Sequence, residues 1–267
     1  MKLFDSGFTD FPVEHFRETG LPRANLDSTP RNKFGYRGRE LDDQGEINLL
    51  FIGDGWTEGV GVEYAQTFPS IVATRCSVGM KRDVREFNLG HRGKGFDYVS
   101  RVLWCALRNF TPDFVFVCFP DVDRREYFAL DSRLVDYSPA RAQAIEGGRE
   151  KAQRVERELI GAMHKIFTLY DDPINALRNY LLIDALLAER GIDWAYSTND
   201  SENARLHIDL LIEKGWFAAD RYIGRPFGKV DEPSAAPGYP GSVSHAQFGE
   251  MIFDELREKL PRIIAAE

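Results

Sequence analysis

The sequence predicts an α/β protein, a three-layer sandwich in which helices cover both faces of a mostly parallel sheet. Two observations carry this. Short apolar runs of strand length alternate with longer segments whose apolar residues recur at helical spacing, the pattern of a parallel sheet built through crossover helices. The clearest run, Phe114-Val115-Phe116-Val117-Cys118-Phe119, is apolar at every position, as befits a central strand buried on both faces. The size fits as well: 267 residues, 43% hydrophobic and 28% charged, are enough to bury one substantial core.

In chain order, residues 1–46 show no periodicity. They hold turn-forming clusters such as Leu21-Pro22-Arg23 and Ser28-Thr29-Pro30-Arg31-Asn32, and read as an irregular N-terminal arm packed on a main domain over 47–267. Ile47 to Ile52 is a buried strand ending at Gly53, and Arg85 to Asn88 a shorter second one. Over Gly95 to Asn109, Tyr98, Val99, Val102, Leu103 and Leu107 share one helical face. After the strand at 114–119, residues 120–148 form a polar, aromatic-dotted connection that suits a lid or a partner surface. Glu150 to Tyr170 and Ile174 to Arg190 read as helices. Asp171-Asp172-Pro173 separates them and supplies the second with an N-cap and a first-position proline. Gly191 caps that helix before a strand at Ile192 to Tyr196. A helix over Glu202 to Lys214, a Pro- and Gly-rich loop over 225–241, and a closing helix over Ser244 to Leu260 with Ser244 as N-cap complete the reading. Neither internal repeats nor low-complexity segments occur.

Composition excludes several functions. A net charge of −8 opposes a nucleic-acid-binding surface, which needs a basic face. No run approaches the roughly 20 apolar residues of a membrane span, and Met1 to Asp10 lacks the basic-then-apolar pattern of a signal peptide. Three Cys (Cys76, Cys105, Cys118) without CxxC spacing fit neither a disulfide framework nor a thiolate zinc site, which points to a reducing, cytoplasmic setting. No cofactor motif is present. Five His (His15, His91, His164, His207, His245) are available to a His-dependent mechanism.

Function is carried by the expected strand ends, where parallel sheets place ligands. The first strand runs into Gly53-Asp54-Gly55-Trp56-Thr57-Glu58-Gly59-Val60-Gly61-Val62, which resembles the first block of the SGNH (GDSL-type) hydrolases. Asn32-Lys33-Phe34-Gly35-Tyr36-Arg37-Gly38 upstream and Thr67-Phe68-Pro69 downstream are similar to the segments around that block. Asn88-Leu89-Gly90 resembles the second block, Cys118-Phe119-Pro120-Asp121 stands where the third belongs, and Ala236-Pro237-Gly238-Tyr239-Pro240-Gly241-Ser242-Val243-Ser244-His245 where the last does. The resemblance spans about residues 32–260 and implies a flavodoxin-like sandwich. It also implies ester hydrolysis by a Ser nucleophile, a His base and an Asp that orients it, with an oxyanion held by backbone N–H groups and an Asn.

Position by position, most of that chemistry is missing. The nucleophile position is Gly55, the Asn position Pro120, the base position Tyr239 and the acid position Ala236; Gly90 remains, with Asp54 beside the absent nucleophile and Asp121 after the absent Asn. The expectation is a catalytically degenerate SGNH-like protein acting as a binding or structural module. Its first turn, with amides at a helix start, would hold a small acyl or carboxylate ligand. The alternative is an active esterase with a displaced constellation around His245 or His91, using Ser242 or Ser244. A lyase or transferase built on Asp54, Asp121 and Tyr239 is a third reading. Plainer roles stand beside these: tight-turn glycines, Asp54 as a loop cap, Tyr239 as a packed ring, and Asp121, Asp123, Arg124 and Arg125 as a solvated ion-pair cluster. Asp54, Asp121 and Asp123 would be the carboxylates of any metal site. The aromatics Phe4, Phe8, Phe11, Phe16, Tyr127, Phe128 and Tyr137 cover the core or serve a homo-oligomer or larger assembly.

Overall fold

The computed structural model describes residues 31–259 except 33, 129–133 and 167–169. The described strands are β1 (Ile47–Gly53), β2 (Val84–Asn88), β3 (Phe114–Phe119), β4 (Arg125–Phe128), β5 (Leu134–Tyr137) and β6 (Asp193–Thr198). Four of them form one all-parallel sheet in the order β2-β1-β3-β6, and β4 and β5 make a separate antiparallel pair. β1 and β3 lie at the centre and are buried along their whole length. Their side chains alternate between the faces: Leu50, Ile52, Val115 and Val117 enter one apolar cluster, and Leu49, Phe51, Phe114 and Phe116 the other.

Helices cover both faces, so the α/β sandwich stands. One face carries α3 (Phe96–Asn109), α6 (Asp171–Arg190) and α7 (Glu202–Glu213), which bring in Val102, Leu103, Ile183, Leu187, Ile208 and Leu211. The other carries α2 (Phe68–Met80) and α8 (Ser242–Lys259), with Val72, Cys76, Phe248 and Ile252. The short α1 (Gly55–Glu58) turns off the end of β1. α4 (Pro139–Glu146) and α5 (Arg154–Ile166) pack with β5 in a smaller cluster. Along the outer edge of β6, Ile223 N–H donates to Tyr196 O (3.1 Å) and Phe227 N–H to Thr198 O (2.7 Å). This irregular segment covers part of an edge that would otherwise be open.

Several local expectations change. α2 is an addition, and its buried Phe68, Val72, Ala73, Cys76 and Met80 do carry helical spacing. The connection after β3 is no bare loop; it contains β4, β5 and α4. α5 starts at Arg154 rather than at residue 150. α6 starts at Asp171, so Asp171-Asp172-Pro173 is its first turn and not a break before it. Acids there suit the positive helix end, and proline costs no hydrogen bond in a first turn. α8 starts at Ser242, which makes Ser244 its third residue instead of its cap. The cap comes from a distant carboxylate: Asp231 accepts from Val243 N–H (3.0 Å) and Ser244 N–H (2.8 Å). Of the expected arm, residues 1–30 with Phe4, Phe8, Phe11, Phe16 and His15 lie outside the described residues. The remainder joins the body, where Tyr36 is buried in the core. Among the described residues no helix is long and apolar enough to cross a membrane.

Candidate functional site

The ends of β1, β2 and β3 bring Gly53-Asp54-Gly55, Asn88-Leu89-Gly90 and Pro120-Asp121 to one edge of the sheet. α1 begins there because the Asp54 carboxylate accepts the Trp56 N–H (3.0 Å), and it ends at Gly59, whose φ of 75° suits glycine. Arg37, 3% exposed, holds the turn from below. It donates to the carbonyls of Glu58 (3.1 Å), Gly59 (2.6 Å) and Val62.

The space at the nucleophile position is filled. A β-carbon on Gly55 would stand 2.6 Å from Tyr239 Cε1 and 2.8 Å from Arg92 Cβ, closer than carbon atoms pack. Tyr239, the residue at the base position, therefore lies against Gly55 and occupies the room a serine would need. Burial pushes the Tyr239 phenol up from its usual pKa, and the charge of Asp54 adds to this, so the hydroxyl stays protonated and is no base. Gly90 is positioned by close packing: a β-carbon there would lie 2.3 Å from Glu58 N. Its N–H donates to Asn88 Oδ1 (2.8 Å), while Asn88 Nδ2 donates to Thr57 O (2.8 Å). The amide that the resemblance assigns to an oxyanion thus has an internal acceptor. Pro120 is buried and has no N–H to offer. Ala236 is buried in a turn, where its carbonyl accepts the Tyr239 N–H (3.3 Å).

The expected solvated cluster is a partly buried clamp on the buried Asp54. Asp54 is 2% exposed, and Arg124 bridges its Oδ2 (2.7 Å) to Asp121 Oδ2 (2.5 Å); Asp121 also accepts from Ser201 Oγ. Arg125 is buried on Asp172 (2.6 Å). Burial raises the Asp54 carboxyl despite Arg124, and burial with the neighbouring Asp121 pushes Asp123 up to about 6. The guanidinium of Arg124 stands between Asp54 and Asp121, where a cation would sit. Among the described residues no three His, Cys, Asp or Glu side chains come together to hold a metal ion.

A second charged group lies beside α1. Glu58, 4% exposed, accepts from Arg31 Nη2 (2.7 Å) and from Arg92 N–H (2.9 Å). His91 Nδ1 is 3.6 Å from its Oε2. Burial alone would raise the Glu58 carboxyl, but His91 and Arg31 bring it down to about 2. Burial works against the charged form of His91. The sequence reading singled out neither Glu58 nor Arg37, since each acts through partners far away in the chain; their only local signal was membership of the motif segments.

His245 lies apart from this edge chemistry. It is fully buried, its Nδ1 accepts the Phe68 N–H (3.2 Å), and its ring stacks on Phe68 at 5.9 Å. Burial, reinforced by the charge of Arg37, lowers its pKa to about 3. The Ser244 hydroxyl is taken up by Asp231 (2.5 Å), and Ser242 opens α8. Among the described residues no hydroxyl bonds the His245 imidazole, and Ser242 and Ser244 are not paired with it.

No protein-family model matches the sequence, and no curated protein matches it. Among solved structures the likenesses are to SGNH or G-D-S-L esterases at low identity. A carbohydrate esterase family 2 enzyme with a carbohydrate-binding domain from Corynascus thermopiles (Myceliophthora fergusii) is 12% identical, with 80% of this chain and 66% of that one covered and a TM-score of 0.46. A G-D-S-L family protein from Desulfitobacterium hafniense DCB-2 is 9% identical, over 78% of this chain and 99% of that one, with a TM-score of 0.47. The psychrotrophic esterase EstA of Pseudoalteromonas sp. is 9% identical, over 81% of this chain and all of that one, with a TM-score of 0.46. The chain spans just under two thirds of the first of these.

Proposed function

We propose that this chain is a catalytically degenerate SGNH-like protein that acts as a binding or structural module. The observation that carries the reading is the filled space over Gly55: the ring of Tyr239 and the stem of Arg92 stand where a nucleophile would project. The internal acceptor of the Gly90 amide and the absent donor at Pro120 support it further. A small acyl or carboxylate group at this edge would meet the Tyr239 hydroxyl and Arg92, which are both partly buried beside Gly55.

A second reading, an ester hydrolase with a displaced constellation, is favoured by one observation: His91 stands 3.6 Å from the ionised Glu58, the pairing that orients a general base. One experiment separates the two. The purified chain is offered p-nitrophenyl acetate and butyrate beside its His91→Ala and Gly55→Ser variants. The degenerate reading expects no turnover above the buffer rate in any of them. Gly55→Ser gains nothing, because a hydroxyl without a base lacks about 10⁶-fold of the usual rate. Wild-type turnover well above buffer that disappears in His91→Ala overturns the degenerate reading in favour of the second.

A further inference from the structure

Exposed large apolar side chains concentrate on two neighbouring helices. On α6, Ile174, Leu181 and Leu182 are 43, 53 and 45% exposed; on α7, Leu206 and Leu210 are 64 and 45% exposed, with Trp216 at 52% just past its end. They lie opposite the sides that face the core. α6 buries Ala176, Tyr180, Ile183 and Leu187, whereas Ile174, Arg178, Leu181, Ala185 and Ala188 recur at three- and four-residue spacing on its outer side, all exposed. α7 buries Ala204, Ile208 and Leu211 and turns Leu206 and Leu210 outward. The two helices pack side by side in one layer. Single exposed leucines need no explanation, but several on the outer sides of two adjoining helices mark an association surface.

The charges on α6 identify the occupant. Arg178 and Glu189 lie on the same outer side of α6, between the lines of Leu181 and Leu182, about three turns (about 16 Å) apart along the axis. Consider two α6 helices laid antiparallel about a twofold axis that passes between Ile183 and Asp184. Arg178 of one protomer is then level with the partner's Glu189, and the symmetry makes the pair twice. Leu182 of each faces the partner's Ala185, and the small Ala185 and Ala188 side chains let the backbones approach. A surface that is complementary to itself is what a twofold interface requires. The nearest cation to Glu189 within its own chain is the exposed Arg190 at 3.4 Å, a contact easily exchanged. We propose that the chain forms a twofold homodimer through antiparallel packing of α6, flanked by α7.

Size-exclusion chromatography with light scattering on the full chain tests this. The expected mass at high concentration is twice the 30.4 kDa of one chain, falling toward one chain on dilution. Leu182→Glu places two acids at the centre and yields monomer with the melting curve that wild type shows at dilutions where it is itself monomeric. Arg178→Glu and Glu189→Arg each weaken dimerisation about tenfold or more, and the double variant Arg178→Glu/Glu189→Arg restores it. A wild-type chain that keeps the 30.4 kDa mass of one chain at every concentration overturns the proposal. So does a dimer that withstands Leu182→Glu or both single reversals, since it must form through another face.

Discussion

The imidazole of His245 accepts the Phe68 N–H, stacks on the Phe68 ring and meets the ring of Phe227 edge-on at 5.0 Å. In that apolar cage only the neutral form is tolerated, and its pKa lies near 3 against about 6.5 in an unfolded chain. On acidification the unfolded chain therefore takes up its proton first. The stability that neutral His245 contributes is complete above about pH 6.5 and is lost as the pH falls from there toward 3. In His245→Gln, which can keep an acceptor for Phe68 and cannot titrate, that component is absent. Urea denaturation at a series of pH values should show wild type losing about 1.4 kcal/mol more per pH unit than the variant across this window. Parallel curves would mean that the imidazole titrates alike in both states. At this scale, departures from the resembling motif were legible in the sequence and the packing around them was not. That Gly55 stands where the resemblance expects a nucleophile can be read from one letter. That Tyr239, far along the chain, fills the resulting space is a fact of tertiary packing, and so is the claim of the Phe68 backbone on His245.

At the scale of elements, ion pairs tie the described strands of the connection after β3, a segment expected to suit a lid or a partner surface, to the body. Lys94, 4% exposed, reaches Asp136 on β5 (2.7 Å) and Glu126 on β4 (3.3 Å). Arg101 on α3 forks onto the same Glu126 at 2.9 and 3.0 Å, and Arg125 on β4 pairs with Asp172 on α6. Each strand of the pair is thus pinned to the body by a desolvated ion pair. Removing the Lys94 cation takes the partner from Asp136, which is 23% exposed, while Glu126 keeps Arg101, so the cost is about 1–3 kcal/mol, below that of a fully buried pair. Lys94→Met should lower the unfolding free energy by that amount in chemical denaturation, with Lys94→Arg recovering part of it. A loss below about 1 kcal/mol would place Lys94 among exposed pairs of little energetic weight. These pins could not be read in advance because charge runs such as Asp121 to Arg125 look alike whether solvated or buried. Helix starts were obscured for a related reason: α8 is capped by Asp231 from across a loop, outside any local capping pattern.

Over the whole molecule, what the sequence revealed was what local periodicity encodes. β1 and β3 are apolar on both faces, so their central place could be read, as could α3 and the run of α6 and α7. The sheet then divides the main core into two clusters that share β1 and β3, while the third cluster (Val135, Tyr137, Ala142, Ile145, Ile160 and Met163) stands apart. β5, α4 and α5 contribute all of it, and the smaller a buried apolar cluster is, the lower the free energy of opening it. The amides of β1 and β3 should therefore exchange with solvent only on global unfolding, and those of α4 and α5 through a separate, cheaper opening. Met163→Ala separates the two levels. It creates a cavity in the small cluster, at a cost of about 2–5 kcal/mol to whichever cooperative unit contains the site. Native-state hydrogen exchange should then show faster exchange across α4, α5 and β5, with β1 and β3 protected as in wild type. Equal losses in all five elements would instead show that the small cluster and the sheet unfold as one unit, with the ion pairs of Lys94 and Arg101 coupling them more tightly than apolar burial alone predicts.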